Sequence, residues 1–248
     1  MDVLILGCGF TGERVARRFL ARGARVIAGS RTPERLSGLG VEAVRFDELP
    51  GRLDAGTLVL HSIPPAGDVE LRRLLGDRAA RLVYLSSTAV YGPATIVDER
   101  TPVAEPNERL DAEERTAAGP WSTLILRPAA IYGPGRGVHK RVERGEYQMG
   151  DNFVSRIHVD DLATHVEAGL LSTITGAYPV ADEEPCTARE IAAFCAQLLN
   201  LPLPQNGGRL TGNRRVDGSA IRRVLGIALK YPSYRTGIPA AIQAEREL

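Results

Sequence analysis

The first twelve residues limit most tightly what this chain can fold into. Asp2-Val3-Leu4-Ile5-Leu6 runs directly into Gly7-Cys8-Gly9-Phe10-Thr11-Gly12. The apolar run Val3–Leu6 reads as a strand buried on both faces, as in a parallel sheet. The glycines then open a helix expected over Glu13–Arg22, with Val15, Phe19 and Leu20 at helical spacing. Strand, glycine turn and helix together form the context that a dinucleotide fingerprint requires. Gly7 permits the tight turn, Gly9 lets backbone approach a pyrophosphate, and Gly12 lets the helix pack on the strand. Phe10 and Thr11 complete the cradle, where free N–H groups at the helix start hold phosphates.

A second buried strand, Arg25-Val26-Ile27-Ala28-Gly29, ends in Ser30-Arg31-Thr32-Pro33. NAD-specific folds place an Asp or Glu near this strand end to accept the ribose hydroxyls. No carboxylate stands there. Arg31 offers a planar fork suited to a 2′-phosphate, with Ser30 beside it. The expected cofactor is therefore NADP(H), with NAD(H) as the alternative.

Strands alternate with helices up to about Arg127. Expected strands are Val3–Leu6, Val26–Ala28, Ala43–Phe46, Thr57–His61, Leu82–Ser86 and Thr123–Leu126. Helices are expected to start near Thr11, Pro33, Gly67 and Asn107. This is the pattern of an α/β, Rossmann-type doubly wound parallel sheet with helices on both faces. Beyond Gly133-Pro134-Gly135 the chain becomes irregular, with short helices expected at Asp160–Leu171, Ala188–Leu199, Ser219–Leu225 and Thr236–Glu245. Residues 133–248 thus supply most of a small substrate-side cap, within a single domain spanning 1–248. Pro202–Gly208 reads as a surface linker in that cap.

The 248 residues carry a net charge of +1 with acids and bases interspersed, so no basic face points to nucleic acid or an anionic membrane. No apolar run nears the ~18 residues that a membrane span needs, and no leader pattern opens the chain. Cys8, Cys186 and Cys195 are odd in number and form no C-x-x-C pair. The expectation is a protein of the reducing cytoplasm without structural zinc or a disulfide framework.

Three further motifs follow in order: Leu82-Val-Tyr-Leu-Ser86-Ser87-Thr88-Ala-Val-Tyr91-Gly92, Leu126-Arg127-Pro128-Ala-Ala-Ile131-Tyr132-Gly133-Pro134-Gly135, and Arg156-Ile157-His158-Val159-Asp160-Asp161-Leu162-Ala163. With the glycine turn, they resemble the extended short-chain dehydrogenase/reductases of the NAD-dependent epimerase/dehydratase group, from end to end. The resemblance implies that the first motif carries a catalytic Ser or Thr. It makes Pro128 and its loop a wall of the nicotinamide and substrate pocket, and the third motif the start of the cap. It also implies adenine contact by Asp47, and places His61 and Ser62-Ile63-Pro64-Pro65 beside the cofactor. The glycine spacing departs from the usual extended pattern by one residue, the mark of an atypical branch.

The chemistry departs further. The family's engine is a Tyr followed four residues later by a Lys, whose cation lowers the phenol's pKa for proton exchange. Bringing a phenol to neutrality takes about 4 kcal/mol of differential stabilisation. None of the seven tyrosines here has Lys four residues on, and the only lysines are Lys140 and Lys230. Aligned on the acidic helix that follows, Glu105 takes the Tyr position and Arg109 the Lys position. Ser87, four residues before Tyr91, is the better placed of Ser87 and Thr88 to hydrogen-bond a substrate carbonyl. His61 is expected to face the crevice at the carboxyl end of the sheet, while Tyr91, Tyr132 and His158 are expected to pack, with Asp160 as a helix cap.

Three readings stay open. The chain is an NADP(H)-dependent oxidoreductase or epimerase acting on a small carbonyl or sugar-type substrate with substituted acid–base residues. Alternatively it is a non-catalytic NADP(H)-binding redox sensor, or a cofactor-stabilised assembly protein with an unidentified protein partner. Neither nucleic acid nor membrane is expected as a partner, and monomer and homodimer are both open.

Overall fold

The computed structural model describes residues 1–65, 70–205 and 212–247. The chain begins β1 (Asp2–Leu6), α1 (Gly12–Ala21), β2 (Arg25–Gly29), β3 (Glu42–Val44), β4 (Thr57–His61), α2 (Leu71–Leu75) and β5 (Ala79–Leu85). A short β6 (Ile96–Val97) precedes α3 (Glu108–Ala117) and β7 (Ser122–Pro128). There follow β8 (Ala130–Tyr132), α4 (Val138–Glu143), β9 (Phe153–Val154), β10 (Arg156–His158), α5 (Val159–Leu170) and β11 (Gly176–Val180). The chain closes with β12 (Cys186–Thr187), α6 (Ala188–Leu199), β13 (Arg215–Val216), α7 (Ser219–Leu225) and α8 (Tyr234–Arg246).

Seven parallel strands form the central sheet in the order β11-β7-β5-β4-β1-β2-β3. Strand order reverses at β1, where Leu4 stands in register with Ile27 on one side and Val59 on the other. Side chains alternate between faces along each strand. Val3 and Ile5 therefore join Val15, Phe19, Leu162 and Val166 under α1 and α5. Leu4 and Leu6 meet Leu49, Leu74, Leu75 and Trp121 on the opposite face. Both faces are covered, which is why the strands carry unbroken apolar runs. A separate cluster, including Val142, Ile191, Cys195, Tyr234 and Ile238, packs α4, α6 and α8 together on the C-terminal side.

The doubly wound sheet agrees with the expectation, and α6 and α7 begin and end where the pattern placed them. Several local expectations are corrected. Pro33–Leu36 forms a single 3-10 turn rather than a helix, because Gly38 and Gly40 follow at φ +84 and +80 and divert the chain. The third strand ends at Val44, since Phe46 already opens a second 3-10 turn. The seventh strand, β11, was not anticipated; nor was α4. The helix start expected at Gly67 lies outside the described residues, as do 206–208 of the expected linker.

Candidate functional site

The site forms where β1 and β4 diverge at their carboxyl ends, the topological switch point at which open α/β sheets bind ligands. Gly7 turns the chain at φ +87, and a Cβ there would meet Ser62 Oγ at 2.9 Å. The Ser62 hydroxyl lies against both turn carbonyls, 2.7 Å from Gly7 O and 3.1 Å from Leu6 O, so it tethers the turn to the neighbouring strand. A Cβ on Gly12 would approach Gly7 O to 2.7 Å, which is the close packing of helix on turn. At Gly9 a Cβ would meet nothing within 4 Å. That glycine faces open space, where a phosphate-bearing ligand can approach backbone. The residues present thus fit a dinucleotide.

Two adjoining cavities share Gly7, Gly9, Ser62 and Pro64. One, of about 330 Å³, is walled by Cys8, Gly29, Ser30, Arg31, Thr32, Phe46 and Ile63. The other, of about 390 Å³, runs past Phe10, Thr11 and Gly12 to Ser86, Ser87, Arg109, Pro128, Ile131 and Arg136. A larger cavity of about 650 Å³ lies between α2 and α3. Its lining brings together none of the candidate site residues.

The expected cradle residues Gly7, Gly9, Phe10, Thr11, Gly12, Ser30, Arg31, Ser62 and Pro128 all line this crevice. The Ser30 hydroxyl accepts from Thr32 N–H at 3.1 Å and keeps its own proton to donate. Two guanidiniums approach the Phe10 ring, Arg14 at 4.4 Å and Arg136 at 5.2 Å from its centre. Ser87 caps a 3-10 turn, its oxygen accepting from Ala89 N–H at 3.2 Å, and reaches the larger of the two cavities. Ser86 is 7 % exposed, and its hydroxyl has no hydrogen-bond partner among the described residues. Burial of such a hydroxyl costs stability unless a ligand satisfies it.

Other expectations move. His61 does not face the crevice: it is fully buried and stacked on Tyr84 with ring centres 4.9 Å apart. The strand's two-residue alternation turns it toward the sheet interior, while Ser62 takes the crevice side. Asp47 is exposed and stands beside Arg45 at 3.5 Å; its neighbour Phe46, not Asp47, walls the smaller cavity. Thr88 lies outside both linings, and its carbonyl accepts from Arg214. Glu105 precedes a cis proline and lines a different hollow with Asn107, Asp111 and Glu114. Arg109 of the same segment does reach the crevice. Asn107 caps α3 by accepting from Arg109 N–H at 3.0 Å, which fixes the start of the helix that carries this guanidinium.

The nearby phenols are committed elsewhere. Tyr91 accepts from Arg127 at 3.2 Å, and Arg127 forms a bidentate pair with Glu113 at 3.1 and 2.7 Å. Burial raises the Tyr91 pKa, an effect that Arg127 partly opposes. Tyr132 is buried, and burial raises its pKa far more strongly. His158, rather than Asp160, caps α5: its Nδ1 accepts from Asp160 N–H at 3.2 Å, leaving the Asp160 carboxylate to pair with Arg14 at 3.1 Å. Burial pulls the His158 pKa down to about 4. Burial likewise pushes the Cys8 thiol up to about 11, with Glu13 adding to it. All three cysteines are free, and among the described residues no cluster of His, Cys, Asp and Glu has the makings of a metal site. No described helix is long and apolar enough to cross a membrane.

Crevice residues missed by the sequence reading are Ser86 and Arg136. An arginine just after a glycine-proline-glycine loop carries no local mark of what it will face.

The architecture, a seven-stranded parallel sheet with helices on both faces, is that of Rossmann-type proteins. No family model matches the chain. It is 31% identical to a conserved protein of unknown function from Silicibacter pomeroyi, with 98% of each chain covered and a TM-score of 0.83. At that identity and coverage the two chains belong to one family. A protein from Methylobacillus flagellatus, provisionally assigned as an NAD-dependent epimerase/dehydratase, is 25% identical, with 99% and 98% covered and a TM-score of 0.77. WbmG from Bordetella bronchiseptica, solved with NAD, shares the fold at a TM-score of 0.81, with 17% identity and 100% and 94% covered. Among curated proteins, YeeZ of Escherichia coli is 28% identical, over 93% of this chain and 96% of its own. A 3-diazoavenalumate denitrifying reductase from Streptomyces is 25% identical, over 96% of this chain and 99% of its own.

Proposed function

We propose that this chain is an NADP(H)-binding oxidoreductase of the extended, epimerase/dehydratase-like short-chain dehydrogenase/reductase type. Its substrate is a small carbonyl or sugar-type compound, and it works without the Tyr–Lys pair. The observation that carries the reading is the pair of adjoining cavities that share Gly7 and Gly9, one lined by Arg31 and the other by Ser87. Likeness along nearly the whole chain to a reductase supports the same reading.

In this reading the fork of Arg31 and the hydroxyl of Ser30 hold the 2′-phosphate, and the backbone around Gly9 and the start of α1 holds the pyrophosphate. When bound, the cofactor supplies hydride. Ser87 donates a hydrogen bond to the substrate oxygen as negative charge develops there, a preorganised contact of the oxyanion-hole kind. The apolar wall of Leu85, Ala129 and Ile131 keeps water from the reacting carbon.

The second reading, a redox sensor that binds NADP(H) without turnover, is favoured by one observation. The titratable side chains among the described residues of the larger cavity are two arginines, which stay protonated at neutral pH. Two measurements on one sample separate the readings: NADPH fluorescence on binding, and loss of NADPH absorbance on anaerobic mixing with a panel of carbonyls, sugar nucleotides and quinones. Binding with turnover supports the oxidoreductase. Binding without any turnover makes the sensor the better account, and absence of binding refutes both.

A further inference from the structure

We propose that the substrate of this crevice carries an acid group, a carboxylate or a phosphate monoester, and that Arg109 is the residue that reads it. The inference rests on the cofactor reading above and names the substrate class of the same site.

The larger cavity is walled by Arg109 and Arg136, and no carboxylate appears among its described lining residues. Two guanidiniums on one crevice without a neutralising partner raise its affinity for anions, because low-dielectric walls focus the field between them. The two arginines are not equivalent. Arg136 lies over the ring of Phe10 at 5.2 Å, and Phe10 is part of the glycine turn. Its charge therefore sits beside the phosphate cradle. Arg14, 4.4 Å from the same ring, is already neutralised by Asp160 at 3.1 Å. The 2′-phosphate has Arg31 in the adjoining cavity. Each anionic part of the cofactor thus has a cation of its own before Arg109 is counted.

Arg109 lines the same cavity, as do Ser86 and Ser87. It is half-buried, and no carboxylate of the described residues stands within ion-pair distance of its guanidinium. Of its acidic neighbours in sequence, Glu105, Asp111 and Glu114 line a separate hollow, and Glu113 pairs with Arg127. Lining the same cavity as Arg109 is Ser86, whose buried hydroxyl has no partner among the described residues. A fork of N–H donors and an unpartnered hydroxyl lining one cavity match the oxygens of a carboxylate or a phosphate. Held there, an acid group would orient the rest of the substrate toward Ser87.

The test uses wild type, Arg109→Gln and Arg109→Lys, each with and without saturating NADP+. Benzoate, phenyl phosphate and the neutral isostere benzamide are titrated by ligand-observed NMR, and NADPH is titrated separately by fluorescence. At least one acid probe should bind wild type roughly 10- to 100-fold more tightly than benzamide, the worth of one charge-assisted contact. Which acid wins distinguishes carboxylate from phosphate. Arg109→Gln should erase that preference while NADPH affinity stays within about twofold, and Arg109→Lys should retain part of it. Equal binding of all three probes overturns the proposal. So does an acid preference that survives in Arg109→Gln, including the case where that variant instead loses NADPH, which would make Arg109 a cofactor ligand. If wild type binds no NADPH, the cofactor reading fails, and the probes on the free protein still decide the role of Arg109.

Discussion

Replacing Arg31 by Ala tests the cofactor assignment at the point where NADP(H) and NAD(H) differ. Arg31 is exposed and lines the cavity of about 330 Å³ with Ser30, Thr32 and Phe46; no acid is among its described lining residues. A charge-assisted hydrogen bond contributes about 1.5–3 kcal/mol, and solvent screening at an exposed site favours the lower half of that range. Loss of the guanidinium should therefore weaken NADP(H) by roughly 10-fold at physiological salt, rising toward 100-fold at low salt. NAD(H), which lacks the 2′-phosphate, should change by less than about twofold. Fluorescence titration of both reduced cofactors against both proteins at two ionic strengths measures all four affinities. Equal losses for the two cofactors, or a loss for NADP(H) that ignores salt, would refute the assignment.

Gly9→Val should fold with wild-type stability, because a Cβ there meets no protein atom within 4 Å, yet bind no cofactor, because the side chain fills the approach to the turn; thermal melts and NADPH titration check both halves. If the chain is a reductase, Ser87→Ala should lower turnover by about 10²–10³ without loosening NADPH. Thr88→Val should keep turnover near wild type, since Thr88 lies outside the cavity lining; steady-state kinetics on an identified substrate decide. The histidines make stability depend on acid. Burial holds His158 and His165 at about 4 in the folded chain, below the ordinary ~6.5 of the unfolded one. The unfolded state therefore binds the extra protons. Stability should be intact above about pH 6.5 and fall as pH drops toward 4, by at most roughly 3 kcal/mol per histidine. Denaturant midpoints across that window that stay flat would count against it.

What the amino-acid order determined by itself is what depends on neighbours in sequence. β1, the glycine turn and α1 lie within the first twenty-one residues. Their apolar period and glycine placement are local, so strand, turn and helix are all legible. α6 is equally legible, because its capping box, Thr187 with Glu190, sits at its own start. Arg31 could be placed at the crevice for the same reason: it stands two residues past the end of β2. The rest was decided by tertiary contact. His61 and Ser62 are adjacent, and only packing against Tyr84 determines that the histidine is buried and the serine faces the crevice. Glu105 and Arg109 belong to one segment, and the cap of α3 sends them to different cavities. Arg136 comes to Phe10 across a long stretch of chain, as does Arg214 to the carbonyls of Thr88, Gly92 and Ala94. β11 carries a proline and joins the sheet only at its edge beside β7, where a strand can spare an N–H donor. A local pattern states which face a residue has; what that face meets is set by chain folded back from far away.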